Sequence, residues 1–300
     1  MTSAPEPPAV RSPAASSSSS SAPWRGGALR ELTTVAEVVD ACGDDDLIVW
    51  AAQGMRPGVR AWALGDAVAV ASPGASRRDR LAVGGSAACA LPLVRHALAE
   101  SGPTYRLFGD VELIMEMSAR VEGLTEAVPF SWMVTTSLAP APASATGGRE
   151  GRGRQAERAP GSLPGLLPGS MAGSEPGWLG PAAGPEVGEL LARANPSSYA
   201  VPGIARVSRW AGVRDAAEAL VAVAADAWSA PTVGLLAGVA TAERARGRGL
   251  AERVCRFVTA ALLADHGRAA LMVDDGNGSA VRLYERLGYA RRRVAANRVG

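Results

Sequence analysis

At 300 residues the chain is longer than a typical single domain and suggests two, and its 47% apolar fraction is enough for sizeable cores. A net charge of +2 marks no nucleic-acid or membrane partner, and every Lys/Arg position is Arg, which reads as compositional bias. Three scattered cysteines (Cys42, Cys89, Cys255) and two histidines (His96, His266) leave no disulfide framework, no His-based metal site and no Ser-His-Asp triad, and point to a reducing, cytoplasmic setting.

Residues 1–27 carry Pro, Ala and the Ser16–Ser21 tract, and are expected to be a disordered tail. No apolar run is long enough to span a membrane. Residues 28–137 alternate between strand-like and helix-like patterns and form an expected N-terminal α/β lobe. Within it, Glu31 to Cys42 reads as a helix, Leu47 to Trp50 as a buried strand and Arg60 to Val70 as one strand. Asp44 to Asp46 reads as a solvated turn. Cys89–Glu100 and Val111–Val121 read as helices, and Tyr105–Phe108 and Phe130–Thr135 as strands. Residues 138–180 turn to Ala, Pro, Gly, Ser and Arg and are expected to be a flexible linker. From 181 to 300 a second folded unit follows. Its expected helices are Val187–Ala194, Leu250–Ala264 and Ser279–Leu287. Its expected strands are Trp210–Arg214, Leu220–Trp228, Val233–Thr241, Ala269–Val273 and a short one from Tyr289.

The stretch Val233 to Ala251 carries the chemistry. An apolar strand ends at Thr241, a charged turn follows, and Gly247-Arg248-Gly249 opens a helical pattern at Leu250. The first turn of a helix has unpaired N–H groups at the positive end of its dipole. Glycines let that backbone approach a phosphate, and Arg246 and Arg248 add charge. A P-loop needs a lysine, which this chain lacks, and the glycine spacing does not fit a Rossmann turn.

Arg246-Gly-Arg-Gly249-Leu-Ala251 fits Arg/Gln-x-x-Gly-x-Gly/Ala and resembles the acyl-CoA loop of the GNAT superfamily of N-acetyltransferases. Asn277-x-x-Ala280-x-x-x-Tyr284-x-x-Leu287-Gly288-Tyr289 resembles the later half of the same superfamily. The resemblance covers residues 181–300. It implies a mixed α/β, mostly antiparallel sheet with a central splayed strand pair flanked by helices. It also implies acetyl-CoA as acyl donor, an amine acceptor and direct attack without an acyl-enzyme. Pantetheine would pair with Val239, Ala240 and Thr241. The pyrophosphate would lie on Arg246, Gly247, Arg248, Gly249, Leu250 and Ala251, and Asn277 would bind the cofactor arm. Tyr284 would protonate the leaving thiolate. The glutamate that many members carry on the central strand is missing from Val233–Ala237, so Asp226 is the nearest candidate base. Trp210 and Trp228 read as core residues rather than an acceptor pocket. The N-terminal lobe resembles a degenerate GNAT lobe without the CoA turn. A non-catalytic acyl-CoA sensor is the alternative reading. A homodimer is compatible with the sequence, and the acceptor's identity is not readable from it.

Overall fold

The structure is a computed structural model that describes residues 27–140 and 175–298. The first half contains β1 (Arg30–Leu32), α1 (Val35–Cys42), α2 (Asp46–Ala52), β2 (Arg60–Leu64), β3 (Ala67–Ala75), β4 (Arg78–Gly84), α3 (Ala87–Ser101), β5 (Arg106–Asp110), α4 (Val111–Arg120) and β6 (Ala127–Thr135). The second contains β7 (Gly177–Trp178), α5 (Gly184–Ala194), β8 (Val207–Arg214), β9 (Leu220–Ala227), β10 (Gly234–Thr241), α6 (Leu250–His266), β11 (Ala269–Val273), α7 (Gly278–Leu287) and β12 (Ala290–Asn297).

All twelve strands form one sheet in the order β1-β2-β3-β4-β5-β12-β6-β11-β10-β9-β8-β7. Only β4·β5 and β10·β11 are parallel, and every other pair is antiparallel. The mixed, mostly antiparallel sheet flanked by helices therefore matches the expected fold class. The halves exchange strands. β6, from the first half, lies between β11 and β12, and β12, from the second, lies between β5 and β6. The final strand is thus eight residues long and central, where the sequence suggested a short terminal one.

Three local expectations need correction. Leu47–Trp50 is helical because Asp45 Oδ1 accepts from the N–H groups of Leu47 and Ile48 and caps α2. The helix is buried all round, so its short apolar run carries no helical period. Arg60–Val70 is a hairpin, turning between Leu64 and Ala67. Asp45 and Asp46 are not a solvated turn. Both pair with Arg292 on β12, and Trp132 Nε1 donates to Asp46 Oδ1 at 2.7 Å. Residues 1–26 and 141–174, which hold most of the expected tail and linker, lie outside the described residues. At the end of the linker, Gly177 and Trp178 pair with β8.

One apolar core runs through both halves. Trp50 on α2 packs against Trp132 on β6 at 5.5 Å and against Phe108 on β5 at 6.1 Å. Its indole Nε1 donates to the carbonyl of Trp228, 2.9 Å away in the second half. Gln53 Nε2 donates to the same carbonyl at 3.0 Å. Because the sheet and this core are shared, the described residues should unfold together. Trp50→Ala removes a fully buried ring and should cost about 3–5 kcal/mol. Urea unfolding followed by both circular dichroism and tryptophan fluorescence should give one coincident transition, shifted down in the variant. Two separate transitions would contradict the shared core.

Candidate functional site

The central feature is the way β10 leaves its neighbour. It pairs with β11 only over Gly234–Leu236, then continues alone on that side to Thr241. On its other side the register with β9 shifts between Ala237 and Ala240. The bulge is built on Gly238, whose φ is +62°. A Cβ there would also lie 2.5 Å from the Trp210 ring, so glycine is required by conformation and by space. Val239, Ala240 and Thr241 thus border an open strand edge. The Val239 carbonyl already accepts from Asn195 Nδ2 at 3.1 Å, and the Thr241 hydroxyl is buried without a partner. Asn195 follows the last residue of α5 and precedes Pro196. Its amide tethers the end of α5 to the bulge, and no local sequence pattern announces that contact.

Beyond Thr241 the chain makes a short turn and enters α6. Gly247 (φ +74°) and Gly249 (φ +72°) are both left-handed, and no side chain caps the helix. Its first N–H groups therefore face outward unfilled. Arg246 and Arg248 are exposed and have no ion-pair partner among the described residues. Leu250 is buried and anchors the helix start, with Ala251 partly buried behind it. A cavity of about 270 Å³ lies beside this turn, lined by Arg244, Arg248, Asp215 and Leu250 among others. Two arginines, an uncapped helix and a hollow make a site for a phosphorylated ligand.

At the corresponding turn in the first half a carboxylate of the chain meets the N-cap residue of the helix. This turn joins β4, parallel to β5, to α3, as β10 is joined to α6. There the Asp66 carboxylate accepts from Ser86 N at 3.1 Å and Ser86 Oγ at 2.7 Å. The Ser86 hydroxyl holds the Asp66 carboxyl below its usual range. β4 and β5 also stay close, since a Cβ on Gly109 would lie 2.3 Å from the Val83 carbonyl oxygen. This lobe thus differs from the second in its closed strand pair and in the carboxylate at its turn.

Tyr284 lies on the buried side of α7 and is 7% exposed. Its ring meets Tyr289 edge-on at 6.0 Å. Burial, and then the neighbouring Cys255 and Tyr289, push its phenol well above the usual value, so it stays protonated. Tyr289 is buried too, but its hydroxyl is paired with Thr259 Oγ1 at 2.8 Å. No described residue hydrogen-bonds the Tyr284 hydroxyl, which leaves it available. Asn277 caps α7 by accepting from Ala280 N at 3.2 Å, and its exposed amide N–H₂ has no described partner.

Asp226 is placed differently from the expectation of a free base. Its Oδ2 accepts from Arg209 Nε at 3.2 Å and its Oδ1 from Ser229 Oγ. Ser229 Oγ in turn accepts from Leu235 N at 2.9 Å. Arg209 also pairs with Asp265 on α6 and lies 4.1 Å from the Trp178 ring centroid. Asp226 is thereby committed to joining β8, β9 and the start of β10. Trp210 and Trp228 are 9% and 2% exposed and belong to the core.

Among the described residues no helix is long and apolar enough to cross a membrane, and no group of three or more His, Cys, Asp or Glu could hold a metal ion. Residues 212–299 match the family model described as FR47-like protein. No curated protein matches the chain. Among solved structures, it is similar to a protein assigned as a GNAT-family acetyltransferase from Novosphingobium aromaticivorans, at 27% identity and TM-score 0.42, over 58% of this chain and 65% of that one. This chain therefore spans somewhat less than two thirds of that relative. A GCN5-related N-acetyltransferase from Kribbella flavida is 18% identical, with TM-score 0.46, over 78% of this chain and 87% of that one. A GCN5-related N-acetyltransferase-like protein from Streptococcus suis is 12% identical, with TM-score 0.50, over 88% of this chain and 98% of that one. The last shares the fold across nearly its whole length. The FR47-like match thus falls on strands β9 to β12 with α6 and α7, and the chain shares the fold of the GCN5-related structure from Streptococcus suis.

Proposed function

We propose that the protein is an acetyl-CoA-dependent N-acetyltransferase that moves the acetyl group directly to an amine. The observation that carries this reading is the coincidence of the open β10 edge with the uncapped, arginine-flanked start of α6. In this reading the pyrophosphate takes the free N–H groups at Gly249–Ala251 and the charges of Arg246 and Arg248. The pantetheine lies along Val239–Thr241, which directs the thioester toward the Gly238 bulge. Asn277 offers its free amide to the cofactor arm.

The amine nitrogen attacks the thioester carbonyl, the tetrahedral intermediate collapses, and the sulfur leaves as thiolate. Tyr284, kept protonated by burial, gives that sulfur its proton. Asp226 does not take the amine's proton, because Arg209 and Ser229 occupy both its oxygens. The amine enters deprotonated, and water takes the proton released from the product. Asp226 acts as a positioning group that holds the start of β10.

Gly249→Asp would place a carboxylate beside the free N–H groups at the start of α6. Binding of acetyl-CoA by calorimetry should weaken by about tenfold or more, since each charge-assisted contact is worth about 1.5–3 kcal/mol. Equal affinity in variant and parent would remove the assignment.

Tyr284→Phe keeps the ring and removes the proton donor. With an identified amine, kcat should fall by about 10²-fold, the low end for general acid catalysis, because a thiolate leaves readily near neutral pH. KM for acetyl-CoA should change little. An undiminished kcat would favour an acyl-CoA sensor over an enzyme.

The raised phenol also sets a pH dependence. A phenol whose pKa is higher in the folded than in the unfolded state contributes stability below the unfolded value of about 10 and loses it as pH rises through the folded one. Stability by urea unfolding should therefore drop above about pH 10, and drop less in Tyr284→Phe. Identical pH profiles would show that Tyr284 is not buried as described.

A further inference from the structure

The region between the halves holds arginines without an acidic partner among the described residues. Arg80 on β4 is 6% exposed, sits 5.5 Å from the Phe108 ring centroid, and donates to no described residue. Its cross-strand partner Ser72 is fully buried with an unpaired hydroxyl. Next to Ser72, the Pro73 carbonyl accepts from Arg56, whose Nε is buried and unpaired. Arg206, at the entry to β8 in the second half, has a buried, unpaired Nη1. None of the ion pairs among the described residues involves Arg56, Arg78, Arg80 or Arg206.

Arg80 connects to Arg56 through Ser72, its cross-strand partner, and the adjacent Pro73 carbonyl. Burial and then the nearby Arg56 pull the Arg206 guanidinium down to about 10. Burial likewise pulls Arg80 down to about 10, with Tyr199 and then Arg78 as its charged or titratable neighbours. The Arg78 guanidinium lies 5.6 Å from the Tyr199 ring centroid. The backbone around them is strained as well. Gln53 (φ +49°), Met55 (φ +52°), Arg206 (φ +69°) and Trp228 (φ +53°) are all left-handed without being glycine. Gln53 Oε1 is a further buried acceptor without a donor. Unpaired guanidinium groups, orphaned polar atoms and left-handed backbone along this seam fit a site completed by a ligand.

We propose that Arg56, Arg80 and Arg206 bind an oxyanion, a carboxylate or a phosphate, carried by the amine acceptor. This deepens the transferase reading and rests on it. Its placement fits that reading. Arg206 and Trp228 stand at the end of β9 from which the chain turns into β10, and the cofactor turn follows the other end of β10. A thioester laid along β10 from the turn points toward the arginines. Both lobes then contribute to the acceptor site, since Arg56 and Arg80 come from the first half and Arg206 from the second.

The test uses the full chain. Thermal melting is followed against glutarate, against inorganic phosphate and against sodium chloride at equal ionic strength. One of the two oxyanions should raise Tm beyond chloride, and which one identifies the group. Arg80→Met should melt higher than the parent without ligand, because it removes a buried unpaired charge, and should bind the oxyanion at least tenfold more weakly. Should Arg80→Met fail to fold, the half-exposed Arg206→Gln should show the same loss of binding. No oxyanion effect, or an unchanged one in the variants, would overturn the proposal. In parallel, thiol release from acetyl-CoA is measured with β-alanine, β-alaninamide and phosphoethanolamine. Preference for an acidic amine over the amide, abolished in Arg206→Gln, supports the acceptor assignment, whereas equal use of the amide overturns it. Oxyanion binding with no acetylation of any amine would sink the transferase reading and the acceptor assignment but leave the anion site standing.

Discussion

Eight residues of β12 pair with eight residues of β6, from Ala290 opposite Val134 to Asn297 opposite Ala127, and the rest of the molecule depends on that ladder. It sets β12 beside β5 and β6 beside β11, so that each half receives a central strand from the other. A sheet built this way cannot be divided without exposing unpaired backbone along two strands. The ladder also carries Arg292 to the Asp45–Asp46 helix start and Trp132 to the Trp50 ring. Those contacts hold α2 against the Trp228 turn of the second half. The ground between the lobes, where the unpaired arginines lie, is therefore as fixed as the strands themselves.

The two lobes repeat one order of elements and diverge in one place. In each, a strand runs parallel to its neighbour, with the helix between them forming the connection. In the second lobe the parallel pair separates after three residues and the helix start is uncapped. In the first, the pair stays together and the Asp66 carboxylate accepts from the N–H and hydroxyl of Ser86 just before the helix. The open and the closed lobe thus differ by the bulge at Gly238 and by a carboxylate at the turn.

Much of this was legible because the signals were local. The Gly247–Gly249 turn needs left-handed backbone, and the apolar spacing of Val254, Val258 and Leu262 gives α6 its buried face. The Asn277 cap and Gly288 stop bound α7 equally well. What stayed hidden was long-range. Nothing in Ala127–Thr135 states that its partners are β11 and β12, because a strand's period shows its faces and not its neighbours. Leu47–Trp50 lacks helical periodicity because both lobes cover it. Asp226 looked like a base on its own strand, and Arg209 and Ser229, which neutralise that role, arrive through pairing and a turn. Arg80 sits among thirty other basic residues, and only its burial without a partner sets it apart.

That burial runs against the economy of the rest of the molecule. Elsewhere the arginines are placed where they gain something. Arg292 holds two aspartates, Arg209 bridges Asp226 and Asp265, and Arg286 reaches Glu252. The chain has 29 acidic residues against 31 basic ones, so partners were not scarce. A lone cation under a sheet costs stability unless something repays it, and a hydrophobic side chain of similar volume would avoid the cost. Two groups of arginines without an ion pair among the described residues concern the proposed site, the turn before α6 and the ground between the lobes. They stand toward opposite ends of β10, with the Gly238 bulge between them. In the proposed reading, the first gives helix N–H groups and exposed arginines to a phosphorylated cofactor, and the second gives one buried and two partly buried arginines to a compact oxyanion. A ligand held at each end would then bring its reactive end to the bulge, the arrangement that direct transfer between two bound substrates needs.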